Sequence, residues 1–414
     1  MTDFTASMPA PVASSGPATH TRGQNLAGTR ERWRMSLEAR ALVLVTAALV
    51  AVGLAVLYSA SALQAVSENR AGHYYVLRQA VGVALGAIAF VVLAKVDAER
   101  FKALAWPIMI VSLILMAAVF LPGMNRGNIG GSRRYLLGGS LQPSEFAKFA
   151  VLIWTPMLLV KKGERVRELG KGIMPFVVVI GALVVLALLE PDISVAITYC
   201  VLMAVLLFVG GARLAHFMLF GVVGLMLIGV EAARNPYIRN RVQTYLAVGQ
   251  STEAPPDNPR DQQYQSLVAV GSGGLLGVGF SQGNQQRGWL PLAFNDFIGS
   301  IVGEELGFVG LAGVTVAFAL YGWLGFRIAR QARSPFLALV AIGLTFTTVF
   351  TAFVHLGVVI RLLPNTGLTL PFVSYGRSNL LLTLAMTGIL VNIGSQRERV
   401  YGVTATDPLT PGGA

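Results

Sequence analysis

Apolar runs of about 20 residues recur along this chain, separated by short polar connectors that hold most of its charge. A hydrocarbon layer roughly 30 Å thick takes about 20 helical residues to cross. The runs predict membrane spans at about 41–63, 75–94, 104–121, 143–160, 173–190, 192–209, 213–231, 299–323, 335–360 and 376–394. The expected fold is therefore an all-α polytopic membrane domain over residues 41–394, with about ten transmembrane helices. A large loop at about 232–298 separates the seventh span from the eighth. Its last part, YQSLVAVGSGGLLGVGF from Tyr264, is apolar but short and carries five glycines from Gly271 to Gly279. Such a segment is expected to be re-entrant or interfacial, because irregular backbone cannot face lipid.

Composition agrees and excludes further classes. Hydrophobic residues make up 54% of the 414, charged residues only 13%, against roughly 25% charged in an average soluble domain. A soluble enzyme is excluded. The one cysteine, Cys200, allows no intramolecular disulfide and no cysteine metal site. The four histidines (His20, His73, His216, His355) are scattered, which speaks against a histidine zinc site. The net charge of +12 sits mostly in connectors, so it reports topology and anionic headgroups rather than nucleic acid.

Residues 1–40 are rich in small and polar residues, then basic, and are expected to form a disordered tail ahead of an uncleaved first span. Residues 395–414 form a second tail. With the N-terminus inside, nineteen Lys and Arg fall on that side. Eight fall on the other, once the five in the long loop are set aside. Both termini are therefore expected in the cytoplasm, with 232–298 outside. No internal repeat is visible, which weakens a transporter of inverted repeats.

Ionisable groups at membrane depth are functional candidates. Arg133 and Arg134 precede Glu145 and Lys148 in GGSRRYLLGGSLQPSEFAK, where Pro143 suits a helix start. Glu145 and Lys148, three apart on one helix face, can form a self-paired couple or hold a cation toward an anionic substrate. Asp192 follows Glu190-Pro191 as a helix cap or a site carboxylate. Asp296, in LAFNDFIGSIVGEELG, is either the cap of the next span or a general base at its outer mouth. Glu304, Glu305 and His355 read as buried structural groups. RLLPNTGLTLPFVSYGRSN, from Arg361, is a Pro- and Gly-punctuated outer loop containing Ser374 and Arg377. Bent backbone near membrane depth implies that it lines an outward-facing polar cavity.

LYSASA at 57–62, the GGSRRYLLGGSLQPSEFAK stretch, EPD at 190–192, NDFIGSIVGEELGFVG at 295–310 and LPNTGLTLPFVSYG at 363–376 together resemble the SEDS family. These are membrane glycosyltransferases of bacterial cell-wall synthesis. The resemblance spans about 40–395. GEELG and GLTLP look like its division branch (FtsW), while PFVSYG is closer to the elongation branch (RodA).

What the resemblance implies is polymerisation of lipid II on the outer leaflet of the bacterial cytoplasmic membrane, at the division septum. Asp296 falls on the family's proposed catalytic Asp. Arg134, Glu145, Lys148 and Asp192 fall on its other motif charges, with Ser374 and Arg377 as substrate-binding or site-supporting positions. Tyr135, Phe294-Asn295, Arg377 and Asn379 depart from the family pattern. The implied partners are lipid II, the nascent glycan strand, a single-pass transpeptidase (a penicillin-binding protein), other division proteins and membrane lipids. No cofactor is required, though a divalent cation can assist the pyrophosphate. The competing classes are a lipid II flippase, which needs polar groups continuing toward the inner leaflet, and a non-catalytic division scaffold.

Overall fold

The computed structural model describes residues 30–121, 136, 142–213, 215–218, 226, 229 and 261–400. Nine long helices among them match nine of the expected spans. They are α1 (Leu37–Ser67), α2 (Tyr74–Lys95), α3 (Arg100–Ala118), α4 (Pro143–Lys162), α5 (Met174–Leu189) and α6 (Ile193–Val209), then α8 (Ile298–Arg330), α9 (Pro335–Val359) and α10 (Arg377–Ile393). Seven are long and apolar enough to cross a membrane, and α6 and α10 are shorter apolar helices. The expected span at 213–231 lies almost entirely outside the described residues, as does the first part of the long loop, up to residue 260. From that loop the structure describes α7 (Gln262–Gly273) and a one-turn helix, Ala293–Asp296.

Local chemistry sets the helix ends. Ser36 caps α1, accepting the Ala39 N–H at 3.1 Å, so α1 starts at Leu37, ahead of the expected tail boundary. Asp192 caps α6 through the Val195 N–H at 3.2 Å, and Ser334 caps α9 ahead of Pro335. Helix α4 opens on Pro143 with Glu145 in its first turn and closes on Lys161 and Lys162, as the helix dipole favours. At the chain ends, Arg30–Met35 and Ser395–Val400 pair as a two-stranded ribbon.

Within the helical unit, Met35–Gln396, the first and last helices meet: the Ser36 N–H donates to Gly394 O at 3.2 Å. The same end is tied by Arg327–Glu38 at 3.2 Å, by Arg333–Asp97 and by the Ser334 hydroxyl on Glu99. Asn392 joins it by donating to Ala94 O at 2.6 Å. All these segments lie on the side that the charge count leads one to expect in the cytoplasm.

Helix α4 is the central element, with 83% of its most apolar window buried against 17% for α2. Being screened from lipid, it has the lowest mean hydropathy of the seven (1.2) and can carry charge.

The glycine-rich segment after α7, expected to be re-entrant or interfacial, runs beside a break in α8. Helix α8 is broken at Gly307 (φ 66°, ψ −163°). The groups freed by the break bond to the glycine-rich strand: Val278 N–H to Glu304 O (3.0 Å), Gly279 N–H to Glu305 O (3.2 Å), Phe308 N–H to Gly274 O (2.9 Å) and Val309 N–H to Leu275 O (3.1 Å). Exposed Leu275, Leu276 and Phe308 then face outward around a satisfied backbone. Glu304 accepts the Asn284 N–H at 2.7 Å and Glu305 accepts the Ser59 hydroxyl, so both acids serve this junction.

Gly307 occupies a region essentially reserved for glycine, and a Cβ there would come within 2.6 Å of Leu275 backbone. Gly307→Ala is expected to lower the thermal stability of the detergent-solubilised protein by about 3 kcal/mol or abolish folding. Gly313→Ala, in the same helix with nothing within 4 Å, should leave the melting temperature unchanged. Equal melting curves for the two variants would contradict the paired break.

Candidate active site

The head of α4 supplies one half of the site. Lys148 Nζ and Glu145 Oε1 lie 2.7 Å apart, with side chains 6% and 10% exposed. A buried couple of this kind persists because removing either partner strands the other charge. Tyr199, from α6, donates its hydroxyl to Ser144 O at 2.9 Å, and its phenol lies within electrostatic range of Glu145, Glu190 and Asp192. Spacing arguments missed Tyr199 because it reads as an ordinary apolar-face residue of α6.

The connector from Arg361 to Gly376 supplies the other half. Its turn at Gly367 has φ +68°, and a Cβ there would sit 3.8 Å from Asp296 Oδ2, so the turn lies against that carboxylate. The preceding Thr366 O accepts the hydroxyl of Ser194, two residues beyond Asp192. One turn therefore touches both the Asp296 segment and the Asp192 segment. The N-cap position of α8 belongs to Phe297, whose side chain makes no capping bond, and Asp296 closes the one-turn helix just before it.

Further bonds hold the connector. His355 bridges Leu368 O (2.8 Å, at Nδ1) and the Gly299 N–H (3.3 Å, at Nε2). An Nε2 that accepts leaves Nδ1 to donate, so the ring is the neutral Nδ1–H tautomer. Gln263 donates to Leu363 O at 2.9 Å, and Gln79 holds both Ser374 O (3.0 Å) and the Gly376 N–H (3.2 Å). Ser374 Oγ accepts the Leu370 N–H at 2.8 Å inside the loop, which makes it a loop-supporting group.

An aromatic and cationic rim flanks the connector. Phe294, two residues before Asp296, packs against Tyr75 (4.8 Å between centroids) and Tyr375 (5.8 Å), and its carbonyl accepts the Tyr375 N–H at 3.0 Å. Phe294, which departs from the family pattern, is thus a packing anchor that fixes the turn bearing Asp296. Arg70 and Arg78 lie 4.4 and 5.4 Å from the Tyr74 ring, and Arg78 donates to the Tyr74 hydroxyl at 2.7 Å. Burial pushes the Tyr375 phenol up, opposed by Arg78, Arg377 and Arg70, so all three arginines act on this rim. Arg377 opens α10 beside Gly82 of α2. Arg70, Arg78, Tyr75 and Tyr375 did not stand out in the sequence, since their partners are distant along the chain. Arg134 lies outside the described residues. Among the described residues, no group of three His, Cys, Asp or Glu side chains is placed to hold a metal ion.

In this helical membrane bundle one bent connector meets the Asp296 segment, the Asp192 segment and an arginine-bearing aromatic rim. The chain belongs to the FtsW/RodA/SpoVE cell cycle protein family, whose model matches residues 39–399. It is 34% identical over 368 residues to a probable peptidoglycan glycosyltransferase FtsW of Trichlorobacter lovleyi, covering 88% of this chain and 95% of that one. It is 33% identical over 355 residues to the stage V sporulation protein E of Bacillus subtilis, covering 85% and 95%. Its fold matches a chain solved in work on structural coordination of polymerization and crosslinking by a peptidoglycan synthase complex (TM-score 0.70, 28% identity, 86% and 97% covered). It also matches the rod shape determining protein RodA of Thermus thermophilus (TM-score 0.61, 27% identity, 86% and 95% covered).

Lys148→Met leaves the Glu145 carboxylate buried without its cation, a change that typically costs about 3–5 kcal/mol. Unfolding in detergent is expected to show that loss, and adding Glu145→Gln should recover most of it. Losses that simply add in the double variant would contradict a coupled pair.

Proposed function

We propose that this chain is a peptidoglycan glycosyltransferase that polymerises lipid II on the outer leaflet of the bacterial cytoplasmic membrane, in septal wall synthesis. The observation that carries the reading is the Thr366–Gly367 turn, which bears on Asp296 from one side and on the Asp192 segment from the other. The FtsW name of several relatives supports the substrate class and the division role. The structural relative drawn from a peptidoglycan synthase complex supports a transpeptidase partner. The joined ends of α1 and α10, together with the charge count, support two cytoplasmic termini.

In this reading Asp296 is the general base. It takes the proton from the acceptor sugar hydroxyl as that oxygen attacks the anomeric carbon of the donor. The bond from that carbon to the pyrophosphate oxygen breaks, and the lipid pyrophosphate leaves with the bonding electrons. One inverting displacement results. Arg377, with Arg70 and Arg78, supplies positive potential for the departing charge, and Arg134 is assigned the same task. The Glu145–Lys148 couple positions the head of α4, because its ammonium is already committed to a carboxylate. Glu304 and Glu305 are engaged at the α8 break, which favours polymerisation over a polar path toward the inner leaflet.

Asp296→Asn keeps the side-chain shape and removes proton acceptance. The purified variant is expected to accumulate and bind lipid II normally, with polymerisation reduced by about 10²–10⁴, measured as glycan-strand length and yield. Polymerisation at the wild-type rate would assign the base elsewhere and sink the mechanism.

A further inference from the structure

A groove of about 690 Å³ opens between α3, α4 and α5, roofed by the connection from Gly163 to Ile173. It lies at the end of α4 remote from Glu145 and has no part in the mechanism above. Its deep walls are apolar, with Trp106, Met174 and Val178 all exposed toward the outside of the bundle. Its mouth is lined by Lys161, Lys162 and Arg165 and by no carboxylate. Lys162 is occupied, donating to Lys171 O at 2.7 Å and so pinning the roof.

Two cations at this end of the bundle are paired with carboxylates. Arg327 is paired with Glu38, and Arg333 with Asp97. Lys161 and Arg165 have no carboxylate partner among the described residues. An apolar slot open to lipid, with Lys161 and Arg165 at its mouth and no carboxylate in its lining, has the shape and charge of a two-part ligand with an anionic head and a hydrocarbon tail.

We propose that this groove is a binding site for one anionic phospholipid of the leaflet facing that end of the bundle. Its phosphate lies against Lys161 and Arg165, and an acyl chain lies along Trp106, Met174 and Val178. The lipid fills space between α3 and α5 that no side chain of the groove fills, and it neutralises the charge at the mouth.

Brominated acyl chains quench a neighbouring indole, so Trp106 reports directly on the occupant. The full-length protein is reconstituted in phosphatidylcholine bilayers with increasing fractions of brominated phosphatidylglycerol or brominated phosphatidylcholine. The Trp106 signal is isolated as the difference between wild type and Trp106→Phe. Trp323, beside the paired Arg327 (4.9 Å), is isolated in the same way as a control. Half-quenching of Trp106 is expected at a roughly 5- to 30-fold lower fraction of the anionic lipid, about five-fold for each unpaired cation, with no preference at Trp323. The Lys161→Gln/Arg165→Gln protein should lose the preference, while Lys161→Arg/Arg165→Lys should keep it. Equal quenching of wild-type Trp106 by both lipids would overturn the proposal, as would a preference that survives the glutamine double variant. Should the glutamine variant not fold, the wild-type comparison still decides.

Discussion

Inside a bilayer every backbone N–H and C=O must find its partner within the protein, and this constraint organises the whole molecule. Regular helices meet it automatically. Among the described residues, two segments of the bundle depart from them and are held by backbone and side-chain bonds. The strand Gly274–Gly279 takes up the bonds freed by the α8 break. The connector from Arg361 to Gly376 is held by His355, Gln79, Gln263 and Ser194. Non-helical backbone at depth gives access to turns and side-chain directions that a straight helix cannot offer. The candidate site is built where that freedom exists, against the second of these segments.

The same constraint decides where charge can reside. Helix α4 holds Glu145 and Lys148 because other helices surround it, and Glu304 and Glu305 stand where the Asn284–Gln285 backbone and Ser59 of α1 offer donors. Lipid-facing α2 and α3 carry exposed leucine, isoleucine and valine instead. Arginines collect at the helix ends, where tyrosine rings and water share them. Sorting charge by shielding yields a polar end built around Asp296 and Asp192, and an opposite end closed by ion pairs.

Helix positions were legible in the sequence because bilayer thickness imposes their length: the expected 75–94 is Tyr74–Lys95, and the expected 335–360 is Pro335–Val359. The Glu145–Lys148 pair was legible for a similar reason, since three-residue spacing on a helix is a local matter. The re-entrant reading followed from five glycines in a run too short to cross. The break at Gly307 was not legible, because φ is invisible inside an otherwise apolar run whose partner strand lies some 30 residues earlier. Phe294 stood out only as a departure from the family pattern, and the structure makes it the anchor of an aromatic cluster with Tyr75 and Tyr375. Pairings across more than two hundred residues leave no periodic trace. The SEDS motifs named candidate residues without their geometry: LPNTG named the loop, but not that its glycine turn rests on Asp296.

That contact is also where the fold and the proposed chemistry are joined. Gly367 needs a positive φ of 68° that alanine resists, and its Cα faces the Asp296 carboxylate. Gly367→Ala should therefore move the base without removing it. The most direct test is the steady-state rate of lipid II polymerisation by purified Gly367→Ala protein, alongside its melting temperature and lipid II affinity. A fall in kcat of about 10²-fold, the typical cost of misplacing a catalytic group by about 1 Å, with near-normal folding and affinity, is the predicted result. A folded Gly367→Ala protein that polymerises at the wild-type rate would contradict it.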